Sequence, residues 1–197
     1  GHFNLLGTAL PGFASGAEHA WAHSKADRAT IGRRWSLHVL GDAAGTAERV
    51  VAAADLRDAD YALVRTGLGD ENRLDFAAMK TTPEKLLAGQ ERFHARLTEA
   101  IGLATRLSDS LSRNDGTPAA FQRLLTPVEY AVLSALTLAK GDAVCGHLNR
   151  LTGNAAAARK LFRKAADITE SLVPTYKELW LARNRRSELD WSVGRFR

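Results

Sequence analysis

The sequence predicts an all-α fold, an antiparallel bundle of long helices, on three observations. Apolar residues recur every three, four or seven positions through most of the chain. Cap residues and prolines stand where those patterns begin. No run alternates apolar and polar residues with β-branched content, as a half-buried strand would. With 197 residues, 45% of them hydrophobic, the chain can bury one core, or one core and part of a second.

Along the chain, the small-residue stretch Pro11 to Ala22 predicts a first helix. Residues 27–40, 44–54 and 57–66 read as shorter helices punctuated by Gly41, Gly45 and Gly67. The stretch from Gly67 to Thr82 reads as a loop that lays "RLDFAAM" against the bundle. Thr82 is placed to cap a helix that Pro83 opens, and Leu86, Phe93, Leu97, Ile101, Ala104, Leu107 and Leu111 give it one apolar face up to Arg113. "NDGTP", 114 to 118, is the expected turn. A second long helix is then expected from Pro127 to Leu151, with Thr126 as cap, Glu129 completing a capping box, and Val128, Val132, Leu136, Ala139, Ala143 and Leu148 buried. A third, 154–172, is expected to stop before Pro174, because a residue preceding proline is pushed out of helical conformation. "TYKELWLAR" and "SELDWSVGRF" read as two short helices, the latter opened by Ser187 and Asp190. The core is expected where Pro83–Arg113, Pro127–Leu151 and 154–172 pack antiparallel.

Charge and motif content exclude more than they assign. The net charge of +5 comes from Lys and Arg scattered with Asp and Glu along helical patterns, which is how solvated helix faces look. The one dense basic cluster is Arg183, Arg185 and Arg186, with no aromatic-rich basic strand or zinc finger beside it, so no nucleic-acid partner is expected. No apolar run approaches the roughly 18 residues of a membrane span, and no membrane partner is expected. The lone Cys145 excludes an intrachain disulfide and reads as a small core residue. His19 and His23, four apart, would share a helix face, but no third ligand accompanies them, so no metal site is expected. His38, His94 and His147 read as hydrogen-bonded core or boundary residues. Asp70 and Glu71 read as a solvated turn. There is no phosphate loop, nucleophile elbow or Cys–His pair, and no cofactor is expected.

The two ends carry a resemblance. "GHFNLLGTALPGFASGAEHAW", residues 1 to 21, with Gly1-His2, Gly16-Ala17-Glu18 and Trp21, resembles the segment that follows the last barrel strand in one branch of glycoside hydrolase family 20, the β-N-acetylhexosaminidases. "ELWLARNRRSELDWSV", 178 to 193, is similar to the end of such proteins. The resemblance implies that residues 1–66 are an end-of-barrel segment with connecting helices, and that 67–197 are a C-terminal helical bundle domain appended to a (β/α)8 barrel. Phe3, Leu5, Leu6, Leu10 and Phe13, close to the start without a charged leader, fit the expectation of a larger protein's tail. The family removes terminal N-acetylhexosamine with the substrate's acetamido group as nucleophile, an exception to the two-carboxylate scheme. Its catalytic Asp-Glu pair precedes the resembling segment, so no catalytic residue is expected in this chain. His2 becomes the candidate substrate-binding residue, on the face where barrel active sites are built. The expected partners are the upstream catalytic barrel, an N-acetylhexosamine-containing glycan reached through it, and a second copy in a homodimer. Leu5, Leu6, Leu10, Phe13 and Trp21 at one end and Trp180, Trp191 and Phe196 at the other should form a shared patch or be covered by a partner.

The alternative is an interaction module. "LAKGDAVCGHLNRLTGNAAAARKLFRKAADI", 138 to 168, resembles a tetratricopeptide unit, with small residues where paired helices touch, but no second unit follows at a 34-residue period.

Overall fold

The computed structural model describes residues 6–22, 27–56, 76, 80–111, 118–183, 186 and 189–194. The described residues are helical, with no strand among them. The helices are α1 (Leu6–Ala22), α2 (Arg28–Leu40), α3 (Thr46–Ala54), α4 (Pro83–Leu87), α5 (Gln90–Leu111), α6 (Pro118–Leu151), α7 (Ala155–Arg183) and α8 (Leu189–Gly194). None of them is long and apolar enough to cross a membrane.

Helix α6 is the axis. Its neighbours are α7 on one side and α5 on another, with α1, α2, α3 and α4 also against it. The α5–α6 pairing is antiparallel, since Phe93 meets Gly141 while Leu103 and Leu107 share a cluster with Tyr130. So is α6–α7, since Gly146 meets Phe162, Asp142 meets Lys164 and Glu129 meets Arg183. Between α6 and α7 the chain reverses in three residues. Gly153 takes a left-handed φ of 84° there, and Asn154 Oδ1 accepts from Ala157 N at 3.2 Å to open α7.

Three apolar clusters surround this axis. The first joins Trp35 and Leu40 of α2, Ala47 and Val50 of α3, Leu103, Ala104 and Leu107 of α5, and Tyr130 of α6, with Leu10 and Ala14 of α1 packed against it. The second joins Val132 to Tyr176, Leu179, Trp180, Leu189 and Val193. The third sets Leu86, Phe93 and Leu97 against Val144, Cys145 and Leu148. Leu10 and Trp180, expected either to share a patch or to be covered by a partner, belong to different clusters.

The helix ends depart from the sequence expectation at the prolines. Thr82 does cap α4, its Oγ1 accepting from Lys85 N at 3.3 Å, with Pro83 in the first turn. The long helix expected from there breaks once, at Ala88 and Gly89, where Gly89 N bonds Leu86 O instead of the carbonyl four back. Helix α6 begins at Pro118 and runs through Pro127, so Thr126 and Glu129 do not form a capping box; both are buried and face Arg183. Helix α7 likewise runs through Pro174, and "TYKELWLAR" is its last stretch rather than a separate helix. A proline inside a helix costs about 3 kcal/mol through the lost bond and the crowded carbonyl. At Pro174 Leu172, Val173, Tyr176 and Leu179 pack on α6 from both sides of the proline, which offsets that cost. The expected helix 57–66, the turn at 114–117 and most of the 67–82 loop lie outside the described residues, and so do Leu5, Trp21's side chain, Trp191's side chain and Phe196.

One glycine, Gly141, lets α5 approach α6 closely. A Cβ on Gly141 would lie 2.2 Å from the ring of Phe93, itself fully buried. Gly141→Ala should therefore cost about 2–3 kcal/mol by overpacking. Gly12, in α1 with nothing within 4 Å of its would-be Cβ, should gain about 0.5–1 kcal/mol on substitution by Ala. Chemical denaturation of the two variants, read against the unaltered chain, should show opposite signs.

Candidate functional site

The described polar interior centres on two carboxylates, both carried by α6. Glu129 is fully buried. Arg183 at the end of α7 donates to it from two nitrogens, Nε to Oε1 at 2.5 Å and Nη2 to Oε2 at 3.0 Å, and the Arg183 side chain is only 4% exposed. Nη2 also lies 3.4 Å from Thr126 Oγ1. This is the two-pronged geometry in which an Arg–carboxylate pair is strongest. Tyr130, the next residue, is buried and donates to Thr8 O of α1 at 3.3 Å; burial, then the Glu129 charge, pushes its phenol well above the usual range.

Thirteen residues on, about 20 Å along the helix at 1.5 Å per residue, is Asp142. Its side chain is fully buried between His94 of α5, whose Nε2 is 2.5 Å from Oδ1, and Lys164 of α7, whose Nζ is 2.9 Å from Oδ2. Burial alone would raise the Asp142 pKa; His94 and Lys164 outweigh it and hold the carboxyl below the usual range. Cys145, one turn further along α6, is fully buried, and its thiol is pushed up to about 12 by burial and by the Asp142 charge.

A third buried carboxylate, Asp42, is a structural cap. Its Oδ2 accepts from Ala47 N at 2.7 Å, inside the first turn of α3, and from Ser36 Oγ at 2.8 Å. At the other end of α3, Arg96 of α5 donates to Ala52 O and Asp55 O at 3.2 and 2.7 Å, placing a cation where the helix dipole is negative.

The residues singled out from the sequence fare differently. His2, His23, Asp70, Glu71 and Arg185 lie outside the described residues. His19 is exposed, with Nδ1 2.7 Å from Ser15 O, and no group of three metal-ligating side chains occurs among the described residues. His38 is exposed, and His147 Nδ1 lies 3.1 Å from Arg150 Nη2. His94 is the boundary histidine the sequence suggested, with a partner that sequence spacing did not identify. Arg183 is withdrawn from the expected surface cluster into the Glu129 pair, leaving Arg186 exposed. Sequence reasoning assigned Glu129 to a cap and passed over Asp142, although these are the only two acidic residues of an otherwise mostly apolar helix. An acid inside such a run needs a buried cation, and that was the available signal.

Chemically, His94 and Asp142 resemble a base and the carboxylate that orients it. The second Asp142 oxygen is occupied by Lys164, and the nearest thiol is buried and protonated. Glu129 has no open side from which a substrate could approach. The arrangement ties helices together. Compared with known proteins, the chain matches no family model, no curated protein and no solved structure.

Two outcomes follow from the pairs. Because the folded-state pKa of Asp142 is depressed, its contribution is present above the unfolded value of about 3.9 and disappears as pH falls through the folded value. Asp142→Asn should cost about 1.5–3 kcal/mol at pH 7, as for hydrogen bonds to a charged group whose partners are part exposed, and urea unfolding should show the gap from the unaltered chain closing below pH ~4. Arg183→Met, which leaves Glu129 charged and buried, should cost about 3–5 kcal/mol, whereas Arg183→Met with Glu129→Met should recover most of that loss.

Proposed function

We propose that this chain is a non-catalytic helical brace of a β-N-acetylhexosaminidase-like glycoside hydrolase, holding a catalytic barrel that removes terminal N-acetylhexosamine. The reading is supported by the resemblance at residues 1 to 21 and 178 to 193, and one structural observation carries it further. Helix α1, which contains most of the first resembling segment, packs Leu10 and Ala14 on the bundle and receives the Tyr130 bond at Thr8, while Phe13 remains 66% exposed. A helix fastened to the bundle on one face and presenting a phenylalanine on another suits an element that bridges two bodies. In this reading the acid and its partner come from the barrel, and His2 lines the substrate rim.

The alternative, a tetratricopeptide-like interaction module, is less well served by the helix lengths. Helix α6 alone has 34 residues, as many as a whole repeat that should contain two helices and a turn.

The test is hydrolysis of a chromogenic β-N-acetylglucosaminide by the 197-residue chain and by the same chain joined to an upstream barrel. Only the joined protein should turn over. Phe13→Asp should leave the isolated chain's stability within about 0.5 kcal/mol, as for an ordinary surface change, and should lower the melting temperature of the joined protein. Turnover by the isolated chain would overturn the proposal; an inert joined protein that binds peptides would favour the interaction module.

A further inference from the structure

We infer that the open groove along the first half of α7 binds the acidic groups of an anionic polysaccharide, one that carries sulfate or carboxylate on its sugars. The groove is a shallow strip along one exposed face of α7, from Ala156 to Ile168, lined by that helix's own Arg159, Lys160, Arg163 and Lys164, with Asp167 near its far end. At 1.5 Å per residue it is about 18 Å long. Arg159, Lys160 and Arg163 are exposed and have no ion-pair partner among the described residues, whereas Lys164 is paired with Asp142. Three cations on a single helix face, with Asp167 the one carboxylate lining it, repel one another where they stand one turn apart. A bound anion would remove that penalty.

The choice of polysaccharide follows from what lines the groove and rests on the glycan-handling role proposed above. No aromatic side chain lines it, so single-stranded nucleic acid would lack a stacking platform. Its apolar lining is limited to Ala156, Ile168 and the stems of the basic side chains, too little for an amphipathic partner helix. Arg159 and Arg163 stand one turn apart, about 6 Å, a spacing comparable with a sugar ring, and their planar forks match sulfate or carboxylate oxygens two at a time. Asp167 offers an acceptor to sugar hydroxyls where the cations end.

The experiment measures binding of size-fractionated heparin to the intact chain by titration calorimetry, at two salt concentrations. The unaltered chain is compared with the triple variant Arg159→Gln, Lys160→Gln, Arg163→Gln, and with a control triple, Arg33→Gln, Arg49→Gln, Arg106→Gln, that removes the same charge from exposed positions elsewhere. Circular dichroism melts establish that each variant folds; should the groove triple fail to fold, Lys160→Gln, Arg163→Gln takes its place. The groove triple should bind about tenfold more weakly, as expected for three exposed charge contacts, and the control should change less than about twofold. Equal losses in the two variants, no heparin binding by the unaltered chain, or displacement of heparin by an equal charge of oligonucleotide would each overturn the inference. Hydrolysis of the uncharged chromogenic substrate reads the proposed function alone and heparin binding reads the groove alone, so either can fail without the other.

Discussion

Helix α6 carries two carboxylates into the interior, and the arrangement of the other long helices has to satisfy that constraint. An unpaired ionised carboxylate in an apolar interior is too costly to keep, so each needs a cation and a partner element to deliver it. At Glu129 the cation is Arg183, which comes from the far end of α7 only because that helix persists through Pro174. At Asp142 the cation is Lys164 of α7, and His94 of α5 takes the other carboxylate oxygen. The two sites thus pin α7 to α6 at points about 20 Å apart along the axis and pin α5 at one of them. Pairs of this kind contribute little net stability over an apolar replacement, but they penalise any slip of one helix past another, since a shift of one turn would strand the charge.

Close packing supplies the complementary constraint. Gly141 admits the Phe93 ring against the α6 backbone, and Gly146 admits Phe162, whose ring lies 3.0 Å from where a Cβ would be. Each glycine sits within one turn or so of Asp142, so both close ring contacts flank the buried ion cluster. Proximity and charge act on the same stretch.

How much of this was legible follows from what each helix faces. Helix α5 has a bundle on one side and water on the other, so Phe93, Leu97, Ala104 and Leu107 form a readable stripe and are all buried. Helix α6 is covered by neighbours on several sides. Val132 faces α7, Tyr130 the α2–α3–α5 cluster and Val144 the α4–α5 side, so burial spreads round its circumference and a one-face pattern describes it poorly. The prolines misled because a local rule was applied where tertiary contacts on both flanks decide: at Pro127 the supposed cap residues Thr126 and Glu129 are ligands for Arg183, a partner 54 residues from Glu129. Thr82 and Pro83 were read correctly because a cap is satisfied within one turn. Ion pairs between distant helices leave no spacing in sequence, and only their chemical implausibility marks them.

The same reasoning separates basic residues that stabilise from those that meet solvent. The cluster at Arg183, Arg185 and Arg186 was the densest in sequence, yet its first member is spent inside the fold. Arg159, Lys160 and Arg163 are interleaved with Leu161 and the alanines of a helical pattern and so read as an ordinary solvated face; the fold leaves all three on one exposed strip of α7, with no ion pair to any of them among the described residues. Lys164, beside them in sequence, points the other way in function, because α6 presents Asp142 within 2.9 Å. A lysine whose neighbour is a buried carboxylate is a structural residue, and one turn away the same chemistry without that partner meets solvent. What divides the two is the position of one acid on the facing helix, and that is a property of the packed bundle rather than of either helix alone.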